Sequence, residues 1–139
     1  MDSSTKPHPG AIPLLHDLQA DLAKMKARGL PMVVLFSRSD CTYCEEVRNN
    51  YLRPLDHDDH QILIREVVSD YVNDKIGTLP ETTHAGFARR FDVRFFPTVF
   101  FFNYQLEQLA PSLAGSGKAG FYGGYLDDRI LQAKNKAMR

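Results

Sequence analysis

The chain has 139 residues, which is enough for one domain with its own core and too few for two ordinary domains. Lys and Arg number 17, as do Asp and Glu, so with neutral His the net charge is zero, which argues against nucleic acid or an anionic membrane as a partner. Hydrophobic residues make up 43% and charged residues 24%, a composition typical of a globular protein and unlike that of a disordered or collagen-like chain.

The first ten residues, MDSSTKPHPG, lack the basic region and the apolar run of a signal peptide. We expect a flexible tail over residues 1–11 and one domain over residues 12–139. The chain contains no apolar stretch of about 18 residues, so we expect no membrane span in it. Either the protein is cytosolic, or a signal has been removed and the polar start is the spacer that followed it.

The first half of the chain predicts a helix, a strand and a second helix. From Pro13, apolar residues recur at helical spacing and predict an amphipathic helix that Gly29 ends. Residues 31–36 form a short apolar run, typical of a strand that is buried on both faces. Ser39 and Asp40 are suitable capping residues for the polar helical segment that follows. This segment begins at Cys41 and runs to about Arg53, where we expect Pro54 to stop it.

The middle of the chain predicts a strand between two loops. Residues 56–60 are charged and predict a loop, and residues 62–68 predict the second strand. Residues 70–81, which include a glycine and a proline, predict another loop. Thr82 or Thr83 is a suitable N-cap for a short helix that follows it.

The last third of the chain predicts a hairpin and a final helix. Residues 98–102 are strongly apolar and predict the third strand, with residues 106–109 as its hairpin partner. A glycine-rich segment then precedes a C-terminal helix that carries Tyr125, Leu126 and Ile130. Helices alternating with apolar strands predict an α/β domain in which helices flank a central mixed β-sheet.

The most informative feature is the spacing of the two cysteines, Cys41 and Cys44, in the sequence CTYC. The motif follows a buried strand and opens a helix, the context in which a CxxC pair is a redox centre. The helix N-terminus stabilises a thiolate, so we predict that Cys41 is the nucleophile. Cys44 lies one turn further on and is predicted to resolve the mixed disulfide. A zinc site would need a second pair of ligands at matched spacing, and no such pair is present.

Two other motifs favour ordinary structure over function. Residues 57–60, HDDH, have the side chains of metal ligands, but adjacent loop residues rarely converge on one ion, so a solvated loop is favoured. Residues 115–120, GSGKAG, match GxGxxG, yet the 19 residues that follow leave no room for a dinucleotide-binding unit. We therefore expect neither a metal nor a cofactor.

The phenylalanine-rich segment over residues 91–102 predicts core packing, because a strand covered on both faces is continuously apolar. A papain-like pairing of Cys41 with His84 is disfavoured, because nothing in the sequence orients that histidine.

CTYC between a strand and a helix, followed by Phe-Pro-Thr at residues 96–98 before an apolar strand, resembles the thioredoxin superfamily from about Pro13 to the C-terminus. The resemblance implies a thioredoxin fold and a cis proline facing the dithiol. It also implies a substrate-binding surface that includes Thr42, Tyr43, Phe96 and Pro97. Because the residue before the cis proline borders the dithiol in this superfamily, Phe96 is the expected exception to core packing. The segments FSRSDCTYCEEVRNNYL and FYGGYLDDRI are most similar to periplasmic thioredoxin-like proteins of the SoxW type.

The chain departs from thioredoxins at two positions beside the dithiol. Asp40 stands where thioredoxins have a tryptophan, and Leu35 stands where they keep a buried acid. Asp40 disfavours a thiolate at Cys41, whereas Arg38 is expected to offset that charge. Proton handling at the dithiol is therefore expected to differ from that of thioredoxins.

These observations predict a thiol:disulfide oxidoreductase that exchanges disulfides with protein partners through Cys41 and Cys44. We expect a monomer whose dithiol receives electrons from an upstream dithiol donor. The alternative is a non-enzymatic binding module with the thioredoxin fold and a redox-sensing dithiol. The resemblance favours the periplasm as the location, with the cytoplasm as the alternative.

Overall fold

The computed structural model describes residues 11–77, 82–115 and 120–137. The strands in these ranges are β1 (Met32–Ser37), β2 (Leu63–Val68), β3 (Thr98–Phe102) and β4 (Leu113–Ala114). They form one mixed sheet in the order β2-β1-β3-β4, in which β1 is parallel to β2 and antiparallel to β3. The helices are α1 (Leu18–Arg28), α2 (Thr42–Val47), α3 (Arg53–Asp58), α4 (His84–Arg90) and α5 (Tyr122–Ala137), with a π-helical turn, Arg48–Leu52, between α2 and α3.

Helices cover both faces of the sheet, so every residue of β1 is buried, as its apolar run predicted. Side chains alternate across a strand. Val33 and Leu35 pack in the cluster that includes α2 and α5, whereas Met32, Val34 and Phe36 pack in the cluster that includes α1 and α4. The sheet therefore separates two apolar layers, and the dithiol helix belongs to the first.

Several predicted segments lie partly outside the described residues. These are the tail over residues 1–11, of which only Ala11 is described, the loop at residues 78–81 and the glycine-rich segment at residues 116–119. Among the residues that the structure describes, no helix is long and apolar enough to cross a membrane.

The N-terminal segment corrects one prediction, because the first helix begins at Leu18 and not at Pro13. Asp17 is the N-cap of α1. The preceding residues pair with the outer edge of β2: the Glu66 N–H donates to the Pro13 carbonyl at 2.8 Å, and the Leu15 N–H donates to the Glu66 carbonyl at 2.9 Å. An edge strand has unpaired main-chain groups, and pairing with them outweighs the helical pattern of this segment.

Pro54 does not stop the dithiol helix, which is the second correction. The helical segment continues from Thr42 to Asp58, so residues 56–58 belong to α3 and not to a loop. In a regular α-helix the ring of Pro54 would clash with the carbonyl four residues earlier. The wider π turn, in which the Arg53 N–H donates to the Arg48 carbonyl, places Pro54 in the first turn of α3, where a proline is tolerated.

The hairpin after β3 is also longer than predicted. The Leu109 N–H donates to the Phe101 carbonyl at 2.7 Å, in agreement with the predicted partner segment. The strand paired with β3, however, is Leu113–Ala114, in register with Thr98 and Val99. Pro111 lies between the two stretches and has no N–H to donate, so it interrupts the ladder.

Two predicted helix caps are confirmed, whereas the N-cap of α2 is Cys41 and not Ser39 or Asp40. Thr83 is the N-cap of α4, and its hydroxyl accepts from the Gly86 N–H at 3.1 Å. Gly29 ends α1 in the left-handed conformation, at φ 68°. Leu126 and Ile130 are buried on α5, whereas Tyr125 is exposed.

His84, the first residue of α4, is buried and joins three parts of the fold. Its Nδ1 accepts from the Val68 N–H at 2.9 Å, and its Nε2 donates to the Leu15 carbonyl at 2.7 Å. These contacts require the neutral ring, and burial lowers the pKa of His84 below its ordinary value. Both ring nitrogens are engaged, in agreement with the interpretation that His84 is not a partner for Cys41.

We expect His84→Gln to reduce the pH dependence of stability below about pH 6.5. The unfolded chain protonates its histidine near pH 6.5 and the folded protein only at lower pH, so the contribution of neutral His84 is complete above that pH and is lost as the pH falls. The free energy of unfolding of the wild type should then fall by at most about 1.4 kcal/mol per pH unit in this window. Urea denaturation of the wild type and of His84→Gln at a series of pH values measures this pH dependence.

His57→Gln is the matched control for this measurement. His57 is exposed, and its hydrogen bond with Asp58 raises the pKa of His57, so its contribution has the opposite sign. An equal loss of stability on acidification in the wild type and in His84→Gln would contradict the assignment.

Candidate functional site

The two cysteines lie where the carboxyl end of β1 passes into α2, as predicted. Cys41 is the N-cap of α2, and its Sγ accepts a hydrogen bond from the Cys44 N–H at 3.1 Å. The two residues form a disulfide, with their Cα atoms 5.2 Å apart. Cys41 is partly exposed, whereas Cys44 is fully buried. The pair is therefore asymmetric, because the first cysteine contacts solvent and the second does not.

The four predicted substrate-binding residues lie at two places near this end of the sheet. Thr42 and Tyr43, between the cysteines, are exposed. Phe96 is half-buried and Pro97 is buried, and the bond between them is cis, as predicted. Phe36 of β1 is in register with Thr98, so the loop that ends at residue 97 lies at the same end of the sheet as the dithiol. Their role in binding stays a prediction.

Phe95 corrects the prediction that the phenylalanine run is core apart from Phe96. It is 72% exposed, and its carbonyl accepts a hydrogen bond from the Thr98 hydroxyl at 2.6 Å. The Arg38 guanidinium lies 5.7 Å from the ring centroid of Phe96, so the loop before the dithiol contacts the loop before Pro97. Phe95 is an exposed aromatic next to the predicted binding residues. The sequence signal was its position directly before Phe-Pro-Thr.

Charged groups around the first cysteine are arranged in two contacts. Arg38 Nε lies 3.5 Å from Asp40 Oδ1, which agrees with the predicted offset, although both side chains are largely in water and such pairs are weak. Asp70, in the turn after β2, accepts from the Ser39 N–H at 3.0 Å and from the Ser39 hydroxyl. The hydroxyl contact lowers the pKa of Asp70. Asp70 was not predicted, because its partner comes from a loop 31 residues away.

A buried carboxylate also lies under the dithiol helix. Glu66 of β2 is 4% exposed and forms an ion pair with Arg48, and its carboxylate also accepts from the Ser37 hydroxyl. The hydrogen bond with Glu66 raises the pKa of Arg48. In the sheet, Glu66 is in register with Leu35, the position at which a buried acid was expected and missing. The buried acid is thus on the neighbouring strand.

Two side chains of residues 57–60 contact different partners. His57 Nδ1 lies 2.7 Å from Asp58 Oδ1, whereas Asp59 accepts from Lys134 Nζ at 2.6 Å. Within the described ranges, no group of three or more His, Cys, Asp or Glu side chains is arranged to hold a metal ion.

Comparison with solved structures shows a thioredoxin fold, with a mixed four-stranded sheet flanked by helices. Thioredoxin NaTrxh from Nicotiana alata superposes with a TM-score of 0.64 at 16% identity, over 95% of this chain and 98% of that chain. Oxidised thioredoxin O2 from Arabidopsis thaliana superposes with a TM-score of 0.59 at 16% identity, over 91% and 97%. Oxidised mitochondrial thioredoxin 3 from Saccharomyces cerevisiae gives 0.59 at 17% identity, over 86% and 93%.

Comparison with protein-family models agrees with the fold comparison. The thioredoxin-like domain matches residues 18–131, so the chain belongs to the thioredoxin-like domain family. Comparison with curated protein sequences gives no match. Membership of this family, together with the Cys41–Cys44 pair, supports thiol–disulfide oxidoreductase activity in general.

Proposed function

We propose that the protein exchanges disulfides with partner proteins through Cys41 as the attacking thiol and Cys44 as the resolving thiol. The observation that carries the proposal is the asymmetry of the bonded pair. Cys41 is partly exposed at the N-cap of α2, and Cys44 is fully buried one turn further on. A partner thiol or disulfide can therefore react with Cys41 first, and Cys44 reacts only within the protein.

In the reducing direction, the Cys41 thiolate attacks a partner disulfide, and one partner sulfur leaves as a thiolate that takes up a proton. The mixed disulfide then joins Cys41 to the partner. Cys44, after losing its proton, attacks the Cys41 sulfur, and the second partner sulfur leaves. The protein is left with the Cys41–Cys44 disulfide that the structure holds. The same steps in reverse oxidise a partner dithiol.

The main-chain environment of Cys41 favours this chemistry. The Cys44 N–H points at the Cys41 sulfur and would stabilise a negative charge there, in addition to the effect of the helix N-terminus. We propose that Thr42, Tyr43, Phe96 and Pro97, together with Phe95, contact the partner segment. Tyr43 and Phe95 are 62% and 72% exposed, so they offer apolar surface next to the reactive sulfur.

Reduction of insulin by dithiothreitol tests this function. We expect the wild type to accelerate the reaction and Cys41→Ser to give the rate of dithiothreitol alone, because the attacking sulfur is absent. Tyr43→Ala and Phe95→Ala should lower the rate. Tyr104→Ala is the control, since Tyr104 is a partly exposed aromatic beyond the carboxyl end of β3, at the opposite end of the sheet. A wild type no faster than Cys41→Ser would favour the binding module.

We also propose that the protein is of the SoxW type and acts outside the cytosol as a monomer, with an upstream dithiol donor. The similarity of FSRSDCTYCEEVRNNYL and FYGGYLDDRI to that type supports the proposal. So does the absence of a third cysteine that an oxidising compartment could mispair. An export signal encoded upstream, with fractionation alongside periplasmic markers, is expected; fractionation with cytosolic markers and no such signal would contradict it.

A further inference from the structure

The dithiol lies in a segment whose two ends meet the same side chain. Ser37, the last residue of β1, comes four residues before Cys41, and Arg48 comes four residues after Cys44. The Ser37 hydroxyl donates to Glu66 Oε2 at 2.5 Å. Arg48 donates from Nε to Oε1 at 2.7 Å and from Nη2 to Oε2 at 2.5 Å. One carboxylate therefore holds the strand end and the helix turn on either side of the reactive pair.

This clamp is buried, and its charges balance. The side chains of Arg48 and Glu66 are 17% and 5% exposed, so water screens them little. The paired guanidinium and carboxylate carry no net charge. Arg48 lies one helical turn from Cys44, on the same side of the helix, and its N–H donates to the Cys44 carbonyl. Any charge left unbalanced here would therefore act on the nearby sulfurs.

We propose that Arg48 and Glu66 are positioning residues that fix the dithiol segment and, by cancelling each other's charge, set the fraction of reactive thiolate and the balance between dithiol and disulfide. The proposal rests on the function proposed above. Glu66 acts here through Arg48 and Ser37 and does not itself touch the reacting atoms. Because the pair is neutral, removing either member should shift the thiol chemistry in a direction set by the charge that remains.

The directions follow from electrostatics. Glu66→Gln keeps a hydrogen-bonding side chain of the same shape and leaves the Arg48 guanidinium unbalanced, which favours a thiolate nearby. Arg48→Met keeps most of the apolar stem and leaves the Glu66 carboxylate without its cation, which disfavours a thiolate. The double variant is neutral again. A clamp that was only structural would shift both single variants in the same direction.

Two measurements on the reduced, purified protein test the proposal. The first is the rate of alkylation of Cys41 by iodoacetamide at pH 7, which we expect to rise about two- to fivefold in Glu66→Gln and to fall in Arg48→Met. The second is the equilibrium in which the protein dithiol and one glutathione disulfide give the protein disulfide and two glutathione thiols. Its constant should fall about three- to tenfold in Glu66→Gln, because a stabilised thiolate favours the reduced form.

The double variant Glu66→Gln with Arg48→Met should return both values to within about twofold of the wild type. Shifts of the same sign in the two single variants, or no shift in Glu66→Gln, would overturn the proposal. Neither measurement involves a partner protein. If the expected shifts are absent, the insulin assay still tests the proposed function. If the wild type is inactive with insulin, the shifts in alkylation rate and glutathione constant can still be measured.

The Asp21–Arg65 pair provides a matched control. Arg65 lies in the same strand as Glu66, and its side chain contacts α1. It donates to Asp21 through Nε at 2.9 Å and through Nη2 at 3.0 Å. The side chains are 17% and 13% exposed, so the pair resembles the clamp in geometry and burial. We expect Asp21→Asn, like Glu66→Gln, to lower the midpoint of thermal unfolding, but to leave the alkylation rate and the glutathione constant unchanged.

Discussion

Cys44→Ser is expected to accumulate covalent adducts with partner proteins, whereas Cys41→Ser should accumulate none. Without the buried thiol, the mixed disulfide between Cys41 and the partner has no internal nucleophile to resolve it. The structure supports this division of roles, because Cys41 is partly exposed and Cys44 is fully buried. The adducts are measured on non-reducing gels after the variants are expressed in cells, and mass spectrometry identifies the linked peptide.

The controls for this experiment separate trapping from non-specific oxidation. Dithiothreitol should release every adduct, and the linked peptide should contain Cys41. The variant that lacks both cysteines should resemble Cys41→Ser, because each adduct requires the exposed sulfur. The same set of adducts in Cys41→Ser and in Cys44→Ser would show that the two roles are assigned wrongly.

Phe87→Ala is expected to lower the free energy of unfolding by about 3–5 kcal/mol. Phe87 is fully buried on α4. Its ring centroid lies 5.9 Å from that of Phe36, 5.0 Å from that of Phe91 and 6.4 Å from that of Phe102. Removing the ring leaves a cavity that this rigid aromatic cluster cannot close. Urea denaturation monitored by circular dichroism measures the loss.

Phe95→Ala is the matched control, because Phe95 is the same residue type but 72% exposed. Its free energy of unfolding should change by no more than about 0.5 kcal/mol. Below its unfolding transition, Phe87→Ala should keep the alkylation rate of Cys41, since Phe87 packs on the face of the sheet opposite α2. A loss of similar size in both variants would contradict the burial that distinguishes them.

The amino-acid sequence by itself determined the features that depend on neighbouring residues. The segments predicted as strands, residues 31–36, 62–68 and 98–102, matched β1, β2 and β3 to within one residue at each end. A threonine cap at residue 82 or 83 was predicted because a cap hydroxyl satisfies a nearby N–H, and Thr83 is the residue that does so. Cys41 and Cys44 were assigned from spacing alone, because a strand followed by CxxC leaves the first cysteine at the helix N-terminus.

Only the tertiary structure decided the conformation of segments in which contacts with residues distant in sequence outweigh the preference of neighbouring residues. The segment from Pro13 has a helical pattern, but its first residues pair with the edge of β2 instead of forming a helix. The helix that Pro54 was predicted to stop continues through a π turn. The run of phenylalanines predicted that Phe95 is part of the core, but Phe95 is exposed because it lies in a loop.

The difference between local and long-range contacts also explains which part of the site could be predicted from the sequence. The reactive pair is local, whereas the groups that hold it come from across the sheet: Asp70 reaches Ser39 over 31 residues, and Glu66 reaches Ser37 over 29. A Glu in a strand that is otherwise mostly apolar signals a buried charge that needs a partner, but not which partner. That choice depends on the parallel register of β1 and β2, because the register brings Glu66 beneath the helix that carries Arg48.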